Sequence, residues 1–455
     1  MQLEAKFTEG KIFGQLVRFA LPVLAALCLQ AMYGAVDLLI VGQFSTAANV
    51  SAVSTGSQMM HMLTTVITAL AMGTTIMLGQ AIGNGRSEEA GRIIGNSITI
   101  FAVLAAAVTT VVLLFTRQLA MVMQAPAEAF EATVGYIRIC AAGTLFIVAY
   151  NVLGSVFRGL GDSRTPLMTV AFACVFNIAG DLIFVAVLDM AAEGAALATV
   201  MAQGLSVLLC LVILRKRGMP VNFRKEHLRP EKNTVGRMLR LGFPVALQEG
   251  LVGISFLVIA AIVNSLGVIP SAGVGVAEKV CSFIMLVPSS FSQALSAFVA
   301  QNIGAGKPAR ARRAMAWGMG ASLAVGILMF SVTFFRGDLL AAIFTADRQV
   351  VLAAADYLKA YAIDTMIVAF LFCYIGYFNG CGKTTLVMVQ GIVGAFGVRI
   401  PVSWFMSRLQ PVSLFHIGLA TPCSTVVQIV ICTVYFLWLL RREKAGAEDE
   451  GDGEK

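Results

Sequence analysis

Two carboxylates stand inside apolar stretches of this chain. Asp37 lies in Tyr33-Gly34-Ala35-Val36-Asp37-Leu38, and Asp181 closes Asn177-Ile178-Ala179-Gly180-Asp181, so that Asn177 and Asp181 share one helix face. A charge at the centre of a membrane-spanning helix costs about 2.5–3.5 kcal/mol on insertion scales, so each such residue needs a reason. If the two helices meet, two carboxylates and an amide converge in a dry space. Like charges there oppose double ionisation, and a shared proton or a hard cation at the oxygens relieves the repulsion. The chemistry expected of Asp37 and Asp181 is reversible uptake of H+ or Na+. The plainer alternative leaves Asp181 hydrated near the outer end of its helix, with no role.

A second polar set comes later: Gln248-Glu249, the adjacent Glu278-Lys279, Asp364 and Arg399. Glu278 and Lys279 point about 100° apart on a helix, so each pairs more readily with another helix than with its neighbour. Arg399 is the natural counter-ion. Both a structural salt-bridge network and a substrate or ion role stay open for this set.

Other chemistries find little support. Gly382-Lys383-Thr384 resembles the end of a phosphate-binding loop, but Tyr377 stands where that pattern requires glycine. The chain has 3 histidines, and its 9 cysteines form no Cys-x-x-Cys pair, so general-base, metal and redox chemistry are not expected, nor is a cofactor. No enzyme is read from the sequence.

The elements that hold these residues follow from composition. The chain is 58% hydrophobic and 13% charged, with mean hydropathy +0.84, against about 25% charged for a soluble domain. This is the composition of an all-α integral membrane protein. A bilayer core takes about 20 residues of helix, and twelve apolar runs meet that length, near 14–40, 52–80, 93–115, 132–156, 166–188, 194–214, 236–262, 272–300, 314–335, 350–378, 384–406 and 415–440.

The chain also repeats itself. Ala81-Ile82-Gly83-Asn84-Gly85-Arg86 is echoed by Asn302-Ile303-Gly304-Ala305-Gly306-Lys307, Phe157-Arg158-Gly159-Leu160-Gly161-Asp162 by Phe378-Asn379-Gly380-Cys381-Gly382-Lys383, and Tyr136 by Tyr357, all at one spacing. A constant spacing marks a duplicated unit. Six spans per copy make the repeats parallel, which predicts two six-helix bundles related by a pseudo-two-fold axis along the membrane normal. The expected layout is an N-terminal bundle over 1–214, a cytoplasmic linker over 215–235, a C-terminal bundle over 236–440 and a disordered acidic tail over 441–455. In the register of the repeat, Asp37 and Asp181 have Ile259 (give or take one) and Val402 as partners, so the first bundle is the expected seat of ion binding.

The 33 Lys and Arg residues test the topology. Those outside the spans fall mostly on the N-terminal side, and the opposite loops carry only Arg117, Arg336, Arg348 and Arg408. The positive-inside rule then places both termini in the cytoplasm. The pI of 9.1 is thereby a topology signal, with anionic lipid as a partner of the linker and no nucleic acid expected. The opening Met1–Lys11 is polar and mixed in charge, and no cleavable signal peptide is expected. Pro22, Pro244, Pro288 and Pro401 interrupt membrane helices, either as bending points or as fixed packing features.

With these motifs in hand, the chain resembles the multidrug and toxic compound extrusion (MATE) transporters. The resemblance rests on the first helix from Pro22 through Asp37 to Val41-Gly42, on Gln80-Ala81-Ile82-Gly83-Asn84-Gly85, on Phe157-Arg158-Gly159-Leu160-Gly161-Asp162, on Gly194-Ala195-Ala196-Leu197-Ala198-Thr199 and on Gln301-Asn302-Ile303-Gly304-Ala305-Gly306. It implies two bundles around a cavity that opens alternately to each side, exporting amphipathic, often cationic organic compounds in exchange for Na+ or H+. By the same resemblance Asp37, Asp181, Asn177, Tyr136 and Thr199 belong to a cation-linked network. Pro22 marks where the first helix bends, Glu249 is set against an acidic residue that lies deeper in the seventh helix of another branch, and the transporter is expected to act as a monomer. A lipid-linked precursor flippase and a channel or non-transporting scaffold are the rival classes.

Overall fold

The computed structural model describes residues 7–218 and 221–452, and among them every regular element is helical. Eleven helices are long and apolar enough to cross a membrane, and a bent pair supplies a further crossing. In chain order these are α1 (Ile12–Phe44), α2 (Ala47–Gly83), α3 (Ser87–Leu114), the bent α4 (Ala127–Ala142 with Thr144–Gly159), α5 (Arg164–Val187) and α6 (Ala191–Arg217). Then follow α7 (Lys232–Asn264), α8 (Val268–Gly304), α9 (Pro308–Ala342), α10 (Arg348–Gly380), α11 (Thr384–Arg408) and α12 (Leu414–Glu443). Each of the twelve expected runs is occupied by one of them.

Two expectations need correction. The single span over 132–156 is a pair of helices bent by 55° at Gly143. Glycine opens such a break, and Val200 of α6 lies directly against it. The acidic tail, expected to be disordered, continues the last helix as far as Asp452. Alanine, glutamate, lysine and arginine dominate the segment after Leu440, and their helix propensity accounts for the extension despite the acidic composition.

Pro22 does not break α1, which runs as one helix from Ile12 to Phe44. Deviations appear elsewhere. The α5 helix changes after Asp181 to the wider π winding over Leu182–Val187, and α11 does so over Val393–Arg399, immediately before Pro401. The α8 helix is interrupted at Met285, shortly before Pro288. A π stretch is rare and often accompanies a functional site.

The chain divides into two compact units. Unit 1 contains residues 1–250, 293–314 and 379–384; unit 2 contains 251–292, 315–378 and 385–455. The polar stretch between α6 and α7 is laid on α3: Ser87 Oγ accepts from the Asn222 amide (2.9 Å), Thr99 Oγ1 donates to the Leu228 carbonyl (2.7 Å) and Asn96 Oδ1 accepts from the Glu231 amide (2.6 Å). Unit 1 therefore runs on through this segment into the first half of α7.

The repeated Gly-rich motifs explain why the end of α8 belongs to unit 1. A side chain at Gly83 would strike the Gln301 carbonyl, and one at Gly304 would strike the Gln80 carbonyl. The two echoes thus cross backbone against backbone, as small residues permit between membrane helices. Gln301 Nε2 donates to the Gly159 carbonyl (3.0 Å) and Gln80 Nε2 to the Gly380 carbonyl (3.3 Å), which ties the same end of α4 and of α10 into the crossing. The N-terminal segment closes over it. Phe7 stacks on Phe298, and Arg310 donates to the carbonyls of Phe7 (2.9 Å), Glu9 (2.7 Å) and Gly10 (2.8 Å).

Unit 2 has its own core, in which Ile259, Val274, Val280, Tyr357, Leu358 and Ile417 pack together.

Candidate functional site

Three helices bring the first polar set together. The α5 and α6 helices pack side by side and α1 packs on α5. Ala195, Ala196 and Ala198 are buried, and a Cβ at Gly180 would come within 2.9 Å of Ala198, so small residues bring α5 and α6 close beside the site. Asp37 is 5% exposed, Asn177 1% and Asp181 0%. Ile40, Val41, Val185 and Ala192 form the adjoining apolar cluster.

The hydrogen bonds run in one direction. Asn177 Nδ2 donates to Thr199 Oγ1 (3.4 Å), and Thr199 Oγ1 donates to Asp37 Oδ2 (3.4 Å). Both bonds are long. Asp37 Oδ1, Asn177 Oδ1 and both carboxyl oxygens of Asp181 are buried without a hydrogen-bond donor. The Asp37 and Asp181 carboxyls lie within hydrogen-bonding reach of one another, a pairing that needs a proton on one of them. Buried acceptors left in this state carry a desolvation penalty of about 1–3 kcal/mol each, more when charged. One proton or one hard cation at these oxygens removes it.

Of the expected network, Asp37, Asn177, Asp181 and Thr199 are therefore brought together. Tyr136 is beside them without joining the chain of hydrogen bonds: its ring rests on Gly56 of α2, inside the apolar cluster. Two further residues complete the site and were not among the candidates. Tyr33 is close to Asp37 and to the Gln203 side chain, whose Oε1 is buried without a hydrogen-bond partner. The signal for both is in the spacing, since Tyr33 precedes Asp37 by one helical turn and Gln203 follows Thr199 by one turn, the same separation as Asn177 and Asp181.

The second polar set is not assembled into one cluster. Gln248, which is buried, and Glu249, which is exposed, belong to unit 1. The other four lie in unit 2. Glu278 is half-buried with Oε1 lacking a partner, Lys279 is exposed, and Asp364 is buried with Oδ1 lacking a partner. Arg399 forms no direct ion pair with any of them among the described residues, although Asp364 is near enough to feel its charge. Its guanidinium donates to Ser255 Oγ (3.1 Å) and stands 4.4 Å from the centroid of the Phe256 ring. A desolvated cation over an aromatic face is held by about 2 kcal/mol.

A family model described as MatE matches the chain twice, over residues 22–183 and 244–405. The matches begin at Pro22 and Pro244, so the duplication read from the motifs is a duplication of the family unit. The chain is 24% identical to Probable multidrug resistance protein YoeA of Bacillus subtilis, over 96% of each chain. It is also 24% identical to Probable multidrug resistance protein NorM of Thermotoga maritima, over 93% of this chain and 92% of that one. A crystal structure of MATE in the bent conformation superposes with a TM-score of 0.89 at 19% identity, covering 98% of this chain and 99% of that chain. With the family unit matched twice across most of its length, this multi-pass membrane protein belongs to the MatE family.

Proposed function

We propose that the protein is a secondary active antiporter that exports amphipathic, cationic organic compounds across the cytoplasmic membrane in exchange for inward Na+ or H+. One observation carries the reading: the buried oxygens of Asp37, Asn177 and Asp181 lack a positive charge that no side chain supplies. In this mechanism the charge is the coupling ion. Two ionised carboxylates in close contact repel by on the order of 4 kcal/mol at an effective dielectric constant of about 20. That is comparable with the roughly 5.5 kcal/mol needed to carry a two-state equilibrium from 1:99 to 99:1. Neutralisation of one carboxylate is thus large enough to shift a transporter between its two openings.

The α1 helix carries Asp37, and Pro22, which cannot donate to the Arg18 carbonyl, is its natural bending point. The existence of a related MATE in a bent conformation supports this part of the reading. Residues 1–214 and 236–440 act as the two bundles of a monomeric transporter in the lipid bilayer, joined by 215–235 on the cytoplasmic side, where both termini lie. The test is reconstitution of the full chain into liposomes, with Na+ and pH gradients imposed separately, while accumulation of a fluorescent organic cation is followed. Uphill accumulation driven by one gradient is expected. Flux that only dissipates the dye gradient, or movement of a lipid-linked precursor in place of the dye, overturns antiport.

A further inference from the structure

The two copies clasp one another through the segments that lead into them. The stretch leading into the second copy lies on α3, the third helix of the first, where Thr99 donates to the Leu228 carbonyl (2.7 Å) and Asn96 accepts from the Glu231 amide (2.6 Å). The stretch leading into the first copy lies on the end of α8 and the start of α9, the third helix of the second. By the spacing of the repeat, Phe7 falls at Leu228, give or take one residue. Both clasps are within unit 1.

The clasps differ in what holds them. On α3 three separate side chains, Ser87, Asn96 and Thr99, share the backbone groups of the linker. On α9 one side chain does most of the holding. Arg310 donates to the carbonyls of Phe7 (2.9 Å), Glu9 (2.7 Å) and Gly10 (2.8 Å) and to Gln15 Oε1 (3.0 Å). Lys307 adds a bond to the Thr8 carbonyl (3.1 Å) and Asn302 one to that of Phe7 (3.2 Å). Gly10, at φ +75°, makes the turn that keeps these carbonyls on one guanidinium. The Phe7 ring, 4% exposed, is held between Phe19 of α1 and Phe298 of α8, with both ring centroids 5.0 Å away. Gly161, after α4, leaves room for it, since a Cβ there would lie 3.2 Å from the ring.

We propose that residues 7–11 are a latch on the cytoplasmic side, shut in this structure, with Arg310 as its keeper, and that the latch must release before the transporter opens to the cytoplasm. The inference rests on the reading of the protein as an exporter that opens alternately to each side. Opening there parts α1 and α4 of the first copy from α8 and α9 of the second, and the segment is held by both groups. Phe7 cannot follow Phe19 and Phe298 in different directions. Arg310 is half-buried and Lys307 exposed, so water takes over their bonds as the segment leaves, which makes the closure reversible. The fixed fork of the guanidinium, set against several carbonyls at once, makes it a two-state contact.

The test locks the latch and, separately, loosens it. Thr8→Cys and Lys307→Cys are combined in the full chain and joined by a two-carbon bis-methanethiosulfonate, whose disulfides a reductant cuts; each single variant, treated alike, sets the baseline. In liposomes the cross-link is expected to slow gradient-driven uptake of a fluorescent organic cation by at least about tenfold, and reductant to restore it. Full uptake through the cross-linked chain overturns the latch, as does failure of the pair to join, because the contact is then absent. Loosening is read without transport, from hydrogen exchange of the peptide that covers residues 7–15. Arg310→Gln is expected to speed exchange by at least about tenfold, with Arg310→Lys between it and the unmodified chain. Arg313→Gln, which removes the same charge from an exposed position one turn further on, is expected to leave it within about twofold. Equal exchange in Arg310→Gln and Arg313→Gln overturns Arg310 as the keeper. If no gradient drives uptake in the unmodified chain, while the cross-link slows passive dye exchange tenfold and Arg310→Gln frees the segment, antiport fails and the latch stands.

Discussion

The α5 and α11 helices carry the same irregularity beside opposite charges. In α5 the π stretch begins after Asp181; in α11 it ends at Arg399. Each charge is nearly buried, at 0% and 6% exposure. Their surroundings differ. Asp181 has no donor at either oxygen, whereas Arg399, although its Nε is buried without an acceptor, has a hydroxyl acceptor at one terminal nitrogen and an aromatic face within unit 2. A π turn can therefore present a charge that the protein holds in part or one whose oxygens it leaves without a donor. The charge without a donor is the one open to an ion from outside, and under the proposed antiport mechanism coupling belongs to α1, α5 and α6.

The largest expected effects break the side that lacks donors. Asp37→Asn and Asp181→Asn each remove a carboxylate from the set, and each is expected to reduce gradient-driven efflux by on the order of tenfold or more with normal expression. Dye efflux from cells or liposomes checks this. Full efflux in either variant would remove that residue from the coupling site.

The Arg399 side should behave differently. Arg399→Met is expected to keep gradient-driven efflux within about twofold and to lower stability by about 2 kcal/mol, since a cation held over an aromatic ring is lost and Ser255 Oγ still donates to the Val252 carbonyl (2.7 Å). Thermal unfolding in detergent, measured beside the efflux assay, gives both numbers. A collapse of coupling with unchanged stability would reverse the comparison and give Arg399 the functional role.

A third substitution tests the frame that both halves of the α2–α8 crossing share. At Gly83 an added methyl group meets a backbone carbonyl that cannot rotate away, and overpacking of this kind costs about 1–3 kcal/mol. Gly83→Ala should therefore lower the unfolding temperature, whereas Gly14→Ala, where nothing lies within 4 Å, should not lower it. Equal behaviour of the two variants would show that the crossing is looser than its geometry.

Sequence reading found the charges better than their partners. Asp37, Asn177 and Asp181 were legible because an ionisable group in an apolar run is expensive and stands out against it. Arg399 is equally visible, but the Phe256 ring beside it leaves no charge pattern to follow. Arg310 is hidden in a different way: at the start of α9 it reads as one more cytoplasmic cation, and only the structure shows its guanidinium closed on the carbonyls of the N-terminal segment. The duplication and the twelve spans were legible from spacing and hydropathy. The 55° bend at Gly143 was not, because the apolar run is unbroken through it.

The smallest effect sharpens the comparison most. The Gln203 side chain stands close to Tyr33, whose hydroxyl proton can turn toward Asp37, while Gln203 Oε1 is itself buried without a donor. Gln203→Leu removes this amide. If Tyr33 then loses its orientation, the ion site loses about one hydrogen bond, worth about 1 kcal/mol, or roughly fivefold in affinity. The concentration of the driving cation at half-maximal efflux should rise by about that factor, with the maximal rate little changed. Tyr33→Phe should give a similar shift, and the double variant should add little, because the two side chains act through one another. A fall in maximal rate at an unchanged half-maximal concentration would place Gln203 in the movement of α6 against α1, outside the shell that completes the carboxylates.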